Sequence, residues 1–147
     1  MTILLDAGPL GMIAHPRSSP ENDACKEWLE GVAVRGASIV LPEIADYEVR
    51  RELIRAHKVA GLRRLDALKN FLTCAPITTS VILRAAELWA AARNAGRPAA
   101  DDSALDADVI LAAQADLLSR SGAVIVATTN PRHLTLFCDA RHWRAVP

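Results

Sequence analysis

Lysine is scarce in this chain. Only Lys26, Lys58 and Lys69 occur among 147 residues, so the basic charge is carried almost wholly by arginine. A phosphoacceptor switch domain, with clustered acids and a lysine after a late strand, is therefore disfavoured. Acid and base balance to a formal charge of zero, so no global field draws the chain to a polyanion. A local patch built from arginine, which suits bidentate phosphate or carboxylate contacts, stays open. Cysteine is equally sparse. Cys25, Cys74 and Cys138 are odd in number and widely spaced, with no Cys-x-x-Cys pair, and read as buried free thiols. His15, His57, His133 and His142 lie too far apart for a zinc spacing. The apolar runs are strand-sized or broken by charge, which argues against a membrane span. Asp6 interrupts any signal-type stretch at the start. A cytoplasmic protein is the expectation.

What is present is a hydrophobic fraction of 51% with 23% charged residues, enough for one domain with a real core. A single domain over 1–147 is expected. Ile3-Leu4-Leu5 is an apolar run of the kind a strand buried on both faces shows. Asp6 ends it, and Gly8-Pro9 predicts a turn, with Leu10 to Ala14 as a short helix. A longer helix follows from Glu21 to about Val34, with Ala24, Cys25, Trp28, Leu29 and Val32 at helical spacing. Ser38 to Leu41 reads as a second strand closed by Pro42. Glu43 opens a helix with Ile44, Tyr47, Leu53 and Ile54 as candidate buried positions, and a break falls within 57–61. Leu62, Leu65, Leu68, Phe71 and Leu72 mark a further amphipathic helix. Ala75-Pro76-Ile77 is a weak third strand, and Val81 to Ala92 is again helical. A polar connection from Arg97 to Ala104 holds Asp101 and Asp102, which read as loop residues. A helix then starts at Leu105 or Asp106 and stops near Gly122. Ala123 to Ala127 is the fourth strand, and a last short strand is expected around Phe137. Strand and helix alternate, which predicts a parallel sheet wrapped by helices.

In such a sheet, residues just past strand ends share one edge, where ligands bind. Asp6, Glu48, Asp108 and Asn130 fall at such places, with Thr128 and Thr129 beside Asn130. Each also has a plainer reading. Asp6 could cap a turn, Glu48 could be a solvated residue beside Arg51, and Asp108 could favour a helix N-terminus in its first turn, with Asp106 as the N-cap. A phosphatase of the Asp-x-Asp kind is disfavoured, since Ala7-Gly8 follows Asp6.

Four stretches carry a family resemblance. Leu4-Leu5-Asp6-Ala7, the run from Leu41 to Leu53 (LPEIADYEVRREL), Asp108-Val109-Ile110-Leu111-Ala112-Ala113 and Val126-Ala127-Thr128-Thr129-Asn130 resemble a PIN domain, in that family's order and spacing. The group they are most similar to is the VapC-type toxins of type II toxin–antitoxin pairs. The resemblance implies a three-layer α/β/α fold with a central parallel sheet of four to five strands. It implies a metal-dependent endoribonuclease using Mg²⁺ or Mn²⁺, acting on RNA, with a cognate antitoxin and a homodimer as partners. Asp6, Glu48 and Asp108 match the first three acidic positions. Asn130 stands at or next to the fourth, where it brings no charge, and Asp106 is the substitute acid the resemblance leaves available. Arg50, Arg51 and Arg55 follow Glu48 and are candidates for RNA contact. The apolar excess between Glu43 and Leu72 is where the resemblance puts the antitoxin. A rival reading is a catalytically weak or inactive PIN-like scaffold.

Hard divalent cations take oxygen ligands and use one or two carboxylates with several waters and substrate phosphate. Asp6 and Asp108 are the expected direct ligands, with Glu48 completing the site or orienting the attacking water.

Overall fold

The computed structural model describes residues 1–96 and 102–147, the first two of the latter stretch by backbone alone. The polar connection expected over 97–104 lies largely outside them, including Asp101. Five strands form one parallel sheet: β1 (Thr2–Leu5), β2 (Ser38–Pro42), β3 (Thr73–Ala75), β4 (Val124–Thr128) and β5 (Ala140–His142), in the order β3-β2-β1-β4-β5. Thr2, Ile3 and Leu4 pair with Ser38, Ile39 and Val40 on one side, and Thr2 to Leu5 pair with Val124 to Ala127 on the other. β1 is thus the central strand, and its three apolar residues are fully buried.

Alternation along the strands divides the core in two. Ile3, Leu5, Ile39, Leu41, Ile125 and Ala127 face helices α1 (Ala7–Ala14), α2 (Pro20–Val34), α3 (Glu43–Arg55) and α4 (Val59–Phe71). Leu4, Val40 and Val126 face the other way, onto Leu111 and Ala115 of α6 (Asp102–Ser119). α5 (Thr79–Asn94) packs on α6 through Val81, Ala85, Val109 and Ala113. Runs buried on both faces are what helix-covered parallel sheets require, and the architecture is the expected α/β/α.

Several local expectations shift. Gly8-Pro9 does not turn the chain; both residues lie in the first turn of α1, where proline costs no hydrogen bond. β3 lies two residues earlier than expected and β5 a few residues later than Phe137. α6 begins at Asp102, so Asp106 is an exposed interior residue and not the N-cap, and Asp108 lies nearly two turns in. Nothing in Asp102-Ser103-Ala104 breaks a helix, and such polar residues favour its start.

Tyr47 and Ile54 are exposed, not core, at 55% and 56%. Ile44, Ala45 and Val49 take the inner stripe of α3, and Leu53 fills the space over Gly61, where a Cβ would meet its Cδ2 at 2.8 Å. Phe71 is exposed as well, because Leu65, Leu68 and Leu72 already cover the core-facing side of α4. Of the three free cysteines, Cys25 is buried, Cys138 half-buried and Cys74, on the edge strand, exposed. Among the described residues no helix is long and apolar enough to cross a membrane.

Candidate functional site

Asp6 leaves the carboxyl end of the central strand and caps α1, its Oδ1 accepting the Ala7 N–H at 2.7 Å. The cap reading and the site reading therefore describe one residue. Its Oδ2 accepts from Thr128 Oγ1 at 2.7 Å, at the end of the neighbouring strand. Thr128 in turn accepts the Asn130 N–H at 3.1 Å, which leaves its own proton for Asp6. Thr128 is buried and Asp6 half-buried, so this bond is partly shielded from water and, with the Ala7 N–H, orients the carboxylate.

Glu48 reaches the same edge by another route. α3 crosses between α1 and α6, with Ile44 and Val49 gripping the two sides of the sheet. Glu48 is one turn beyond Ile44 and shares its side of the helix. Asp108 lies three residues before Leu111 on α6, so the helix face that packs Leu111 on Leu4 and Val126 lifts Asp108 past the strand ends.

The electrostatics show how the three relate. Burial, and next the Asp6 charge, push Glu48 up to about 7; Arg51 opposes this, and Asp108 adds a smaller push. Burial and then Asp6 push Asp108 up to about 6, with His133 opposing. Glu48 thus lies in the field of both Asp6 and Asp108, and Asp108 in the field of Asp6, in the arrangement that separates acid and base roles at reactive sites. Cys138, close behind, is pushed up to about 12 by burial and by Asp139, Asp108 and Asp6, so its thiol is inert.

The donor set is all oxygen, which fits a hard divalent cation. Among the described residues no group of three or more His, Cys, Asp or Glu side chains could hold a metal ion together. An ion here would bind one or two carboxylates directly and keep several waters, in the manner of Mg²⁺.

The auxiliary residues separate. Asn130 is exposed, and its Oδ1 accepts the Arg132 N–H at 3.3 Å, closing a turn after β4. Asp106 is two residues from Asp108 and so on the other side of α6, where it lines a groove with Ile82, Trp89 and Ile110. It does not replace a fourth acid at this site. Thr129 is exposed beside Gly8, whose α-carbon approaches so closely that a Cβ would lie 2.5 Å from Thr129 Oγ1. Arg50 is committed elsewhere: its Nε and Nη2 bond Asp46 at 2.9 and 3.0 Å, and Nη2 bonds Asp66 at 2.8 Å. Asp46 is buried, with Lys69 at 3.8 Å, so Arg50 neutralises a buried carboxylate and does not serve as a free RNA contact. Arg51 lies over the Tyr47 ring at 5.1 Å, next to Glu48, and Arg55 pairs with Glu52.

Two residues escape a reading by sequence. Gly8 matters through backbone proximity, which no spacing reveals. His133 lies within the electrostatic reach of Asp108, in the segment after the turn that Asn130 closes; its place three residues after Asn130 was the available signal.

Comparison with known proteins follows the same outline. No curated protein matches the chain in sequence. In fold it is similar to VapBC2 from Rickettsia felis, solved bound to a DNA fragment from its promoter: TM-score 0.74, 15% identity, covering 97% of this chain and 99% of that one. FitAcB from Neisseria gonorrhoeae gives 0.68 at 19% identity, covering 98% and 99%. VapBC-1 from nontypeable Haemophilus influenzae gives 0.68 at 15%, again covering 98% and 99%. The PIN domain model matches residues 3–136, from the central strand to the turn after β4, and the chain belongs to the PIN domain family.

Proposed function

We propose that this protein is a metal-dependent endoribonuclease, the toxin of a toxin–antitoxin pair. The observation that carries the reading is Asp6 fixed at the carboxyl edge of the sheet by the Ala7 N–H and Thr128, close enough to Glu48 and Asp108 to raise both. Such a cluster holds negative charge at a cost that a divalent cation removes. Asp6 and Asp108 would hold Mg²⁺ or Mn²⁺, with Glu48 orienting the attacking water. When bound, the cation lowers the pKa of a water and offsets charge on the phosphate in the transition state. The chain's own part is positional. Thr128 and the Ala7 N–H fix Asp6, α6 fixes Asp108, and Glu48 stands ready to accept a proton.

The toxin assignment draws on the similarity to VapBC and FitAcB structures and on the exposed Tyr47, Ile54, Val59 and Phe71. Apolar side chains of this number along one helical hairpin suit a protein partner, here an antitoxin, alongside a homodimer. The deciding experiment is cleavage of single-stranded RNA by the purified chain with Mn²⁺ and with EDTA. Metal-dependent cutting by the wild type, lost in Asp108→Ala with the fold intact, is the expected result. A folded wild type that cuts no RNA with any divalent cation would instead favour the inactive scaffold.

A further inference from the structure

A divalent cation on Asp6 and Asp108 would engage the phosphate at the bond that is cut, and the flanking backbone of the polyanion would need contacts from donor groups around the three carboxylates. Arg51 is one such group, on the Glu48 side. The structure supplies a second on the opposite side, from the segment after β4. Asn130 closes its turn onto Arg132 there, Thr135 N bonds Pro131 O at 3.0 Å, and Leu136 N bonds His133 O at 3.2 Å. The adjacent Leu134 is buried among Leu4, Leu111 and Val126, which pins this turn on α6 beneath Asp108. His133 is thereby held in a hydrogen-bonded turn, half-buried, within the field of Asp108. Among the described residues its ring makes no hydrogen bond and no ion pair. The turn that carries it follows the carboxyl end of β4 and is tied through Asn130 and Thr128 to Asp6, at the carboxylate edge of the sheet.

We propose that His133 contacts substrate, its imidazole N–H donating to a phosphate oxygen of single-stranded RNA beside the bond that is cut, opposite Arg51. The inference rests on the ribonuclease reading above and adds a residue to it. His133 and Arg51 then bracket the acids, and the backbone lies between them with the scissile phosphate over Asp6 and Asp108.

The test uses the full chain and a labelled single-stranded RNA oligonucleotide. Affinity is read by fluorescence anisotropy with Ca²⁺, and KM and kcat with Mn²⁺. His133→Ala should weaken binding about tenfold, the scale of one hydrogen bond to a charged group. KM should rise while kcat stays within about threefold, since the contact exists before the transition state. His133→Arg should restore affinity and steepen the dependence of log affinity on log salt by about 0.7, the single-strand value for one phosphate. His15→Ala, at the far end of α1, should change neither. If wild type cuts and folded His133→Ala keeps its affinity and KM, the proposal is overturned while the ribonuclease reading stands. A His133→Arg variant that folds and fails to restore binding overturns it equally. If wild type cuts no RNA, the underlying reading fails first.

Discussion

Thr128 and Asp6 stand 122 residues apart in the chain and meet at 2.7 Å across two neighbouring parallel strands. The hydroxyl is buried, donates to the carboxylate and accepts from Asn130, so it ties the central strand to the turn that carries His133. Thr128→Val keeps the shape and removes both bonds. It should cost about 2 kcal/mol, the range for a hydrogen bond to a charged group plus an unpaired N–H. Urea unfolding and Mn²⁺-dependent cleavage measure the two effects. Thr128→Ser should recover most of each.

Gly8 lies inside a helix, where alanine normally stabilises by about 1 kcal/mol. Here a Cβ would press on Thr129 Oγ1, Cγ2 and Cβ at 2.5, 2.7 and 3.1 Å. Rotating one β-branched side chain cannot clear all three atoms. Gly8→Ala should therefore destabilise, by about 1–2 kcal/mol. Thr129→Ala in the same chain should return part of that loss, a coupling that a double-mutant cycle reads directly.

Arg50 and Arg51 are adjacent in sequence and should behave oppositely. Arg50→Ala strands the buried Asp46 carboxylate with only Lys69 and Asp46's own helix for company, and should cost about 3 kcal/mol. Arg51→Ala should leave the thermal midpoint nearly unchanged, since its contacts are exposed. RNA affinity, measured on folded protein, should fall for Arg51→Ala.

The acid cluster sets a pH dependence for the metal-free protein. Glu48 and Asp108 titrate near 7 and 6 when folded, above the ordinary carboxylate range. The folded state then binds protons that the unfolded chain sheds, so stability falls as pH rises from about 4 to 7. With EDTA present, wild type should lose about 2 kcal/mol between pH 5 and 8 relative to Glu48→Gln/Asp108→Asn, a figure reduced for the solvent screening of half-exposed groups. Divalent metal at pH 8 should restore wild type alone. Denaturant midpoints at the two pH values decide it.

The order of strands and helices, the central place of Ile3-Leu4-Leu5 and the family were legible because they rest on short-range facts. An apolar run without alternation is buried on both faces, and alternating elements have few ways to pack. The helix starts were legible only in part. A proline reads the same in a turn and in a first helical turn, which is why α1 begins at Ala7 and not Leu10. Periodicity named a stripe on α3 and could not choose between Tyr47 and Val49, since the choice depends on which neighbours fill the space.

For the candidate site, the sequence by itself singled out Asp6, because a carboxylate ending a buried strand is visible as a residue type at a place in a pattern; Glu48 and Asp108, inside α3 and α6, came from the family resemblance. Tertiary structure alone decided the rest. It set Asp106 on the far side of α6, bound Arg50 to a buried Asp46, brought Gly8 against Thr129 and put His133 within the field of Asp108. These relations depend on which helix face meets the sheet and on how closely two backbones approach. They are fixed by packing between residues distant in the chain, which no local spacing encodes.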